Sequence, residues 1–298
     1  MRVFITGASG WIGSAVTDEL LTAGHEVVGL ARSDASAAAL EAKGARVQRG
    51  DLDDLDSLRR GAADADAVIH LANKHDFENR AVSNKAERDA VQTLGEVLAG
   101  SGRRFLVASG MAGRGAGPVT LESDPAPFHG LDSPRGGSEN LALEFVDRGV
   151  HTVIPRFAPT VHGVGDNGFM KVLTEIARRN GASGYVGDGA NRWPAVHRSD
   201  AARVVRLGLE KADAGAILHA VGEQGVPART IAEAIGRGLN VPAVSVAPDD
   251  AMEHFGWIGG FFAMDIPASS DFSQKLLGWT PTGPTLIDDL SGDWYFRS

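Results

Sequence analysis

Short apolar runs alternate with amphipathic stretches along the first half of the chain. The runs are rich in Val, Ile, Leu and Phe, and they cover residues 3–6, 26–30, 45–48, 67–71, 104–108 and 152–156. Apolar side chains recur at helical spacing in the stretches between them, which are residues 11–23, 34–43, 55–63, 79–99 and 137–148. Short buried strands that alternate with amphipathic helices predict an α/β fold, with a parallel sheet and helices on both faces.

The pattern changes after residue 156. Residues 157–168 are interrupted by Gly and Pro, which predicts a loop. A helix, a strand and a further helix follow, predicted over 169–180, 216–220 and 230–238. We therefore expect a first domain over residues 1–156. A smaller C-terminal lobe over 157–298 should interleave with the last strands of that domain.

Composition removes several classes of function. The 298 residues contain no cysteine, which excludes disulfide scaffolds, thiolate nucleophiles and Cys-ligated metals. The net charge of −9 argues against a general surface for nucleic acid or an anionic membrane. No segment approaches the ~20 apolar residues of a membrane span, and the first residues lack a signal-peptide pattern, so we expect a cytoplasmic protein. The acidic residues lack the spacing of a calcium loop, and we assign no metal.

A glycine-rich loop directly follows the first predicted strand and opens the first predicted helix. Gly7 permits a sharp turn, Gly10 leaves room for a pyrophosphate, and Gly13 lets the helix pack closely on the strand. The N-terminus of the helix then faces the two phosphates. The loop predicts dinucleotide binding, and the other loop residues with a predicted role are Ser9, Trp11 and Ile12. The alternative is a structural turn that binds nothing.

The loop sequence TGASGWIG at residues 6–13 resembles that of the short-chain dehydrogenase/reductase superfamily, in its extended and atypical branches, which are epimerase/dehydratase-like. The same resemblance continues in GDL at 50–52, HLA at 70–72, VHG at 161–163, VHRSDAA at 196–202 and LGWTP at 277–281. It implies a Rossmann fold, which is a doubly wound parallel sheet, with a smaller C-terminal substrate lobe. It also implies cofactor contacts by Asp51 and Leu52 at the adenine, and by Leu71, Ala72 and Asn73 at the ribose.

The end of the second strand bears on the choice of cofactor. Proteins of this fold that select NAD usually carry an acid here, which binds the ribose 2′-hydroxyl. This chain has Arg32 and Ser33 instead, and the first acid is Asp34. A guanidinium can pair with a 2′-phosphate, so we expect NADP(H) to be preferred and NAD(H) to be possible. The alternative is that Arg32 is a solvated loop residue and the site accepts either cofactor.

The acid–base pair that the resemblance implies is missing. Reductases of the superfamily use a Tyr and a Lys one helical turn apart. The only tyrosines are Tyr185 and Tyr295, and neither precedes a lysine by four residues. In the stretch where the pair would fall, one register replaces it by Arg135 and Glu139, and another replaces it by Gly136 and Asn140.

Four residues are candidates for the missing catalytic functions. Ser109 ends a strand at the expected cofactor edge, although the usual serine aligns better with Gly110. His129 and Arg135 lie just before the helix that normally carries the tyrosine. His162 occupies the tyrosine position of a family "VYG" stretch. A packed or solvated histidine is the alternative at each histidine position, and a preformed iminium substrate would need no proton donor at all.

The predicted substrate-binding residues are His75, Met111, Asn191, Arg192, Trp193 and Trp257. Arg192 could hold a carboxylate or phosphate, and Trp193 could stack on a substrate. The alternative for this segment is a structural turn. Residues 254–264 are apolar and glycine-rich, which is typical of a lid, a dimer patch or plain core.

Three functions remain open at this point. The first is an NADP(H)-dependent oxidoreductase of the atypical short-chain dehydrogenase/reductase type that acts on a small carbonyl, imine or related group. The second is an epimerase- or dehydratase-like enzyme with bound NAD(P), and the third is a non-catalytic NADP(H) sensor. We expect a small-molecule substrate, no nucleic-acid or membrane partner, and a monomer or homodimer.

Overall fold

The computed structural model describes residues 1–74, 76, 79–111 and 118–297. The strands in these ranges are β1 (Arg2–Thr6), β2 (Glu26–Ala31), β3 (Arg46–Arg49), β4 (Ala67–His70), β5 (Arg104–Val107), β6 (Ser109–Gly110), β7 (His151–Phe157), β8 (Thr160–His162), β9 (Ser183–Val186), β10 (Arg192–His197), β11 (Ile217–Ala220), β12 (Glu223–Pro227) and β13 (Ala243–Val246).

The α-helices of the same ranges are α1 (Trp11–Thr22), α2 (Asp34–Ala42), α3 (Leu55–Ala63), α4 (Arg80–Leu98), α5 (Ser138–Glu144), α6 (Phe169–Asn180), α7 (Arg198–Lys211), α8 (Ala228–Leu239), α9 (Ala251–Phe255), α10 (Gly259–Phe262), α11 (Asp271–Leu277) and α12 (Leu286–Asp289). Short 3-10 turns lie at Pro134–Gly137, Pro248–Asp250, Gly256–Ile258 and Asp293–Tyr295. No helix in the described ranges is long and apolar enough to cross a membrane.

The large sheet is parallel and doubly wound. Its strand order is β11-β7-β5-β4-β1-β2-β3, and β6 pairs with β7. From β1 the chain winds outward to β3 and then returns to β4, so the winding direction reverses between β1 and β4. A ligand crevice opens at the carboxyl ends of the strands at such a switch point. The architecture confirms the predicted Rossmann fold.

Helices cover both faces of this sheet. On one face, Val16 and Leu20 of α1 pack with Val204 and Val205 of α7. On the other face, side chains of α3, α4 and α5 form a second core, to which Leu58, Leu94 and Leu141 contribute. Residues 198–220 therefore return to the large sheet and add the helix α7 and the edge strand β11.

A separate apolar core holds the C-terminal lobe together. It joins α6, α8, α9 and α10 around Trp193 and Ile231. Two small sheets frame it, with strand orders β12-β10-β8 and β13-β9. The strand β8 lies in the stretch predicted to be a loop, where Val161 pairs with Val196 of β10.

The helix predicted over 137–148 is shorter than expected. It ends at Glu144, and the backbone N–H groups of Phe145 and Val146 then bond three residues back, to the carbonyls of Ala142 and Leu143. Gly149 follows with a positive φ of 73°. The last turns therefore tighten into the connection to β7, although the apolar spacing continues through them.

Candidate functional site

The glycine loop is packed tightly against its own strand and against β4. Gly7 has a φ of 73°, and a Cβ atom there would lie 2.7 Å from the backbone nitrogen of Ala72. A Cβ on Gly13 would lie 1.9 Å from the carbonyl oxygen of Gly7. Neither position can take a side chain without moving backbone. The loop therefore has the close helix–strand packing that its sequence predicts.

Gly10 is less tightly packed than Gly7 and Gly13. A Cβ there would meet only the Gly7 carbonyl oxygen, at 3.1 Å, and both Ser9 and Gly10 are exposed. Gly10 is the N-cap of α1, and no side chain caps the helix. The N–H groups of the first turn have no partner within the helix, so they are available to an anion. This arrangement fits the pyrophosphate of a dinucleotide.

The side chain of Trp11 bridges the glycine loop to β8. Its indole N–H donates to the carbonyl oxygen of Val161, at 2.8 Å. The guanidinium of Arg198 lies over the indole ring, 4.2 Å from the centroid. Because Trp11 is held in this way, the opening of α1 is tied to both β8 and α7.

The end of β2 carries an exposed arginine beside an exposed acid that pairs with Arg49. Arg32 and Ser33 are both exposed, and the Ser33 hydroxyl caps α2 by accepting from the backbone N–H of Ser36, at 3.2 Å. Asp34 pairs with Arg49, which ends the neighbouring strand β3. No ion pair or hydrogen bond in the described part of the chain engages the Arg32 guanidinium.

The other predicted cofactor residues lie along the same edge of the sheet. Asp51 and Leu52 follow β3 and are half-buried, while Leu71, Ala72 and Asn73 follow β4 beside Gly7. The structure thus brings together every residue that the sequence assigned to the cofactor. Each lies next to the glycine loop or at the carboxyl end of one of the strands β2, β3 and β4.

A buried polar network, which the sequence reading missed, lies directly behind this edge. The Thr6 hydroxyl hydrogen-bonds to Nδ1 of His70, at 2.8 Å. His70 Nε2 lies 3.8 Å from Oε1 of Glu87, on α4. Glu87 accepts from the Asn73 amide, at 3.0 Å, and pairs through Oε1 with a terminal nitrogen of Arg135.

Glu87 is ionised in this environment. Burial alone would raise the pKa of its carboxyl group, because a charge is poorly solvated there. The positive charge of Arg135, the nearby imidazole of His70 and the hydrogen bond from Arg135 outweigh burial and lower the pKa of the carboxyl group from 4.5 to about 2. In the sequence, Glu87 stands on the buried face of α4 with Ser83, Ala90 and Val91, and this unusual position was the signal available.

Arg135 reaches Glu87 from a left-handed turn. Its φ is 55°, and those of Gly136 and Gly137 are 60° and 63°. A Cβ on Gly136 would lie 2.4 Å from the carbonyl oxygen of Asn84, so the turn packs directly against α4. Arg88 of the same helix donates to the Gly136 carbonyl oxygen, at 2.8 Å.

The other residues of the two alternative registers have structural partners. Glu139 accepts from Arg156 of β7, at 2.7 Å, in a buried ion pair. The amide nitrogen of Asn140 donates to the carbonyl oxygens of Ala126 and Phe128. Of the two registers, the structure thus brings only Arg135 close to the predicted cofactor edge.

Three further predicted site residues lie in different environments. Ser109 is buried in β6, opposite Arg156 of β7. Met111 is buried in the core of the large sheet. His129 is exposed, with Nε2 3.3 Å from the amide nitrogen of Asn140.

His162 is fully buried, and this position corrects the expectation that it donates a proton to substrate. Its Nδ1 lies 2.6 Å from Oδ2 of Asp289, and its ring packs edge-on against His197. Nearby, the Tyr295 hydroxyl donates to Asp166, at 2.7 Å. Burial and the adjacent Asp166 carboxylate raise the pKa of Tyr295. These groups hold β8 and the last helices of the lobe together.

Burial also corrects the expectation that Trp193 stacks on a substrate. Its ring is enclosed by Phe169, Phe261 and Phe262 in the core of the lobe. The exposed aromatic of this region is Trp257, with 44% of its surface accessible. Its ring lies 5.9 Å from that of Phe169.

Arg192 and Asn191 are also engaged within the lobe. The guanidinium of Arg192 meets Asp265 with two hydrogen bonds, from Nε at 3.1 Å and from Nη2 at 2.9 Å. The Asn191 amide donates to the carbonyl oxygen of Phe262, at 2.8 Å. Arg192, at the start of β10, and the adjacent Asn191 are therefore joined to the end of the apolar segment 254–264 and to Asp265 just after it. His75 lies outside the described residues.

Comparisons with known proteins agree with this geometry. A model of the NAD dependent epimerase/dehydratase family matches residues 3–221. An uncharacterized protein of Schizosaccharomyces pombe is 45% identical over 297 residues, with 99% of this chain and 100% of that protein covered. A 3-diazoavenalumate denitrifying reductase of a Streptomyces species is 26% identical over 309 residues, with coverage of 97% and 99%. The solved structure of MoeE5 in complex with UDP-glucose and NAD has a TM-score of 0.76 and 26% identity, over 100% of this chain and 99% of that one.

The family match begins in β1 and ends just after β11. It thus covers the large sheet, the glycine loop and the segment that returns from the lobe. This extent confirms the resemblance recognised in the sequence motifs at residues 6–13 and 196–202. The chain belongs to the NAD-dependent epimerase/dehydratase family.

Proposed function

We propose that this protein is an NADP(H)-dependent oxidoreductase of the atypical short-chain type, which reduces a small carbonyl, imine or related group. One observation carries the proposal: the glycine loop, with no side-chain cap on α1, lies beside the end of β2, where the exposed Arg32 has no partner among the described residues and Asp34 is paired with Arg49. A bound nicotinamide cofactor supplies the hydride. The chain's own task is to bind the cofactor and orient the acceptor.

The preference for NADP(H) rests on charge at the end of β2. Arg32 is exposed and unpaired among the described residues, so its guanidinium is available to a 2′-phosphate. Asp34, the first acid after the strand, forms an ion pair with Arg49. A charged hydrogen bond contributes about 1.5–3 kcal/mol, which is roughly 10- to 150-fold in affinity.

Reduction is supported by the relatives and by the chain's side chains. The Streptomyces relative that spans nearly the whole chain is named as a reductase. The Tyr/Lys pair is absent, and both tyrosines lie in the lobe, on β9 and beside Asp166. An acceptor that takes a hydride without a tyrosine proton donor is consistent with this arrangement.

Titration of both cofactors tests the proposal. We expect NADPH to bind the purified protein at least 10-fold more tightly than NADH, measured by cofactor fluorescence. Arg32→Ala should remove most of that preference. Arg46→Ala is the matched control. Arg46 is an exposed arginine that pairs with Glu26 at the start of β3, away from the carboxyl ends of the strands where the cofactor is placed. Equal affinities in the wild type, or a preference that survives Arg32→Ala, would contradict the proposal.

A second candidate is an epimerase- or dehydratase-like enzyme, favoured by the likeness to MoeE5, whose structure holds UDP-glucose and NAD. Such an enzyme regenerates its cofactor within each turnover and has no need to release it. Extraction of the purified protein distinguishes the two functions. Stoichiometric NAD(P) in the denatured extract supports the second candidate, and an empty protein that binds added NADPH supports the first.

A further inference from the structure

The buried carboxylate of Glu87 holds a residue at the cofactor edge, and the proposed function does not yet give it a task. We propose that Glu87 is a positioning residue, which fixes the side-chain amide of Asn73 so that this amide binds a hydroxyl group of the nicotinamide ribose. This inference rests on the proposed function, because it requires a nicotinamide cofactor at the glycine loop.

The strand order places Asn73 on the nicotinamide side of the crevice. The strands β2 and β4 flank β1 on opposite sides, and the glycine loop follows β1 between them. A dinucleotide at such a switch point lies with one nucleotide on each side. Arg32, after β2, marks the adenosine side through the 2′-phosphate. Asn73 follows β4 and therefore lies on the opposite side, with the nicotinamide ribose.

Consecutive side chains after β4 are held in opposite directions. The ammonium group of Lys74 donates to Asp53, which follows β3 on the adenosine side, at 2.7 Å. The amide nitrogen of Asn73 donates instead to Oε2 of Glu87, at 3.0 Å. Glu87 belongs to α4, the helix that connects β4 to β5, and β5 is the next strand away from β1. The Asn73 side chain is therefore kept on the nicotinamide side.

The carboxylate also determines which end of the amide it meets. An ionised carboxylate only accepts hydrogen bonds, whereas an amide group carries two N–H donors and one carbonyl acceptor. Glu87 therefore binds an N–H group of Asn73 and cannot pair with its carbonyl oxygen. Arg135 lies on the other carboxylate oxygen, and its positive charge favours the ionised form. The orientation of the Asn73 amide thus depends on the charge of Glu87.

The backbone beside Asn73 is fixed as well. The N–H group of Ala72 donates to the hydroxyl of Thr6, at 3.4 Å, and that hydroxyl is itself held by the buried ring of His70, at 2.8 Å. The same backbone packs against Gly7, where a Cβ would lie 2.7 Å from the Ala72 nitrogen. A residue held by both backbone and side chain loses little conformational freedom when a ligand binds.

Two probes separate the halves of the cofactor. Adenosine 2′,5′-bisphosphate carries the adenosine half with its 2′-phosphate and lacks the nicotinamide nucleotide. The measured quantity is the Kd of this bisphosphate divided by the Kd of NADPH, both by calorimetry. We expect Asn73→Ala to lower this ratio about 5-fold, on the scale of one lost hydrogen bond. Arg32→Ala should weaken both probes and leave the ratio near its wild-type value.

Glu87→Gln tests the positioning role. A glutamine can meet either end of the Asn73 amide, so the ratio should fall about 3-fold. In the Asn73→Ala background the same substitution should have no further effect, because Glu87 acts through Asn73. Asp200→Asn is the control, since it alters an equally buried carboxylate paired with an equally exposed arginine, and it should leave the ratio unchanged. A ratio within one variant does not depend on the fraction of folded protein, so a purely structural role would not move it.

Two results would overturn the inference. One is an Asn73→Ala variant in which both probes weaken equally or neither weakens. The other is a Glu87→Gln substitution that leaves the ratio unchanged, or that lowers it further in the Asn73→Ala background. Equal binding of NADPH and NADH by the wild type would instead contradict the proposed cofactor preference, and the ratio is then measured with NADH and adenosine monophosphate. A wild-type protein that binds neither cofactor would overturn both proposals.

Discussion

Two ion pairs in this molecule are equally buried and have different tasks. Glu87–Arg135 and Asp200–Arg203 each join an acid that is 1% or 2% exposed to an arginine that is 31% exposed. Asp200 also accepts from the backbone N–H groups of Thr282, at 3.0 Å, and Gly283, at 2.7 Å. Burial alone therefore does not distinguish them, and the remaining partners do.

The difference lies in whether the acid holds backbone or side chains. Asp200 ties the segment after α11 to the first turn of α7, and Arg203 donates to the carbonyl oxygen of Thr280 in the same segment. The partners of Glu87 are side chains, those of Asn73, Arg135 and His70. A carboxylate bound to backbone fixes the path of the chain, whereas one bound to side chains fixes the direction of functional groups.

The largest expected effect is on stability. Removing one partner of a buried ion pair typically costs 3–5 kcal/mol, and partial exposure of both arginines favours the lower end of that range. We expect Glu87→Gln and Asp200→Asn each to lower the free energy of unfolding by about 3 kcal/mol, measured in urea. A loss of unfolding free energy below about 1 kcal/mol in either variant would show that the two ion pairs do not contribute equally to stability.

Lowering the pH should reduce the difference in the free energy of unfolding between the wild type and Glu87→Gln. The folded-state pKa of Glu87 is about 2, below its ordinary value of 4.5, so its stabilisation is present above pH 4.5 and is lost as pH falls toward 2. We expect this difference in unfolding free energy to be about 2 kcal/mol smaller at pH 3 than at pH 7, measured by urea unfolding at each pH. A difference in unfolding free energy that stays constant over this pH range would show that the pKa of the Glu87 carboxyl group is not lowered in the folded protein.

The smallest expected effect concerns the turn that carries Arg135. Alanine in the left-handed region costs about 1 kcal/mol of stability. In Gly181→Ala the new Cβ meets open space, so the free energy of unfolding should fall by about that amount. Gly136→Ala has a similar φ but would press its Cβ against the Asn84 carbonyl oxygen. Its free energy of unfolding in urea should therefore fall by about 1 kcal/mol more than that of Gly181→Ala. Equal losses would mean that the turn can move away from α4 without cost.

Local patterns were sufficient for the large sheet. The bounds of β1 to β5, β7 and β11 lie within one residue of their predicted ranges. All of these strands except β3, which contains one apolar residue, carry an apolar run between clear turn signals. The roles of Gly7 and Gly13 also followed from sequence, since close packing against a neighbouring backbone leaves no other residue type. These features depend on short stretches of chain.

Long-range contacts account for what the sequence did not reveal. The strand β8 has only three residues and exists because Val161 pairs with Val196. The glycine-rich sequence before Trp193 predicts a surface aromatic. In the fold, the ring is enclosed between α6 and α10. Glu87 gains its role from Asn73 and Arg135, which approach from other parts of the chain.

The return of the chain to the large sheet has a consequence for how the protein folds. The apolar strand β7 finds its edge partner β11, and α1 finds its neighbour α7, only after residues 198–220 have been made. Until then, a growing chain presents an unpaired strand edge and an uncovered helix face, which are the surfaces that promote aggregation. The large sheet therefore becomes complete only after the first part of the lobe, from β8 to β10, has been synthesised, and most of the core of the lobe is synthesised after it.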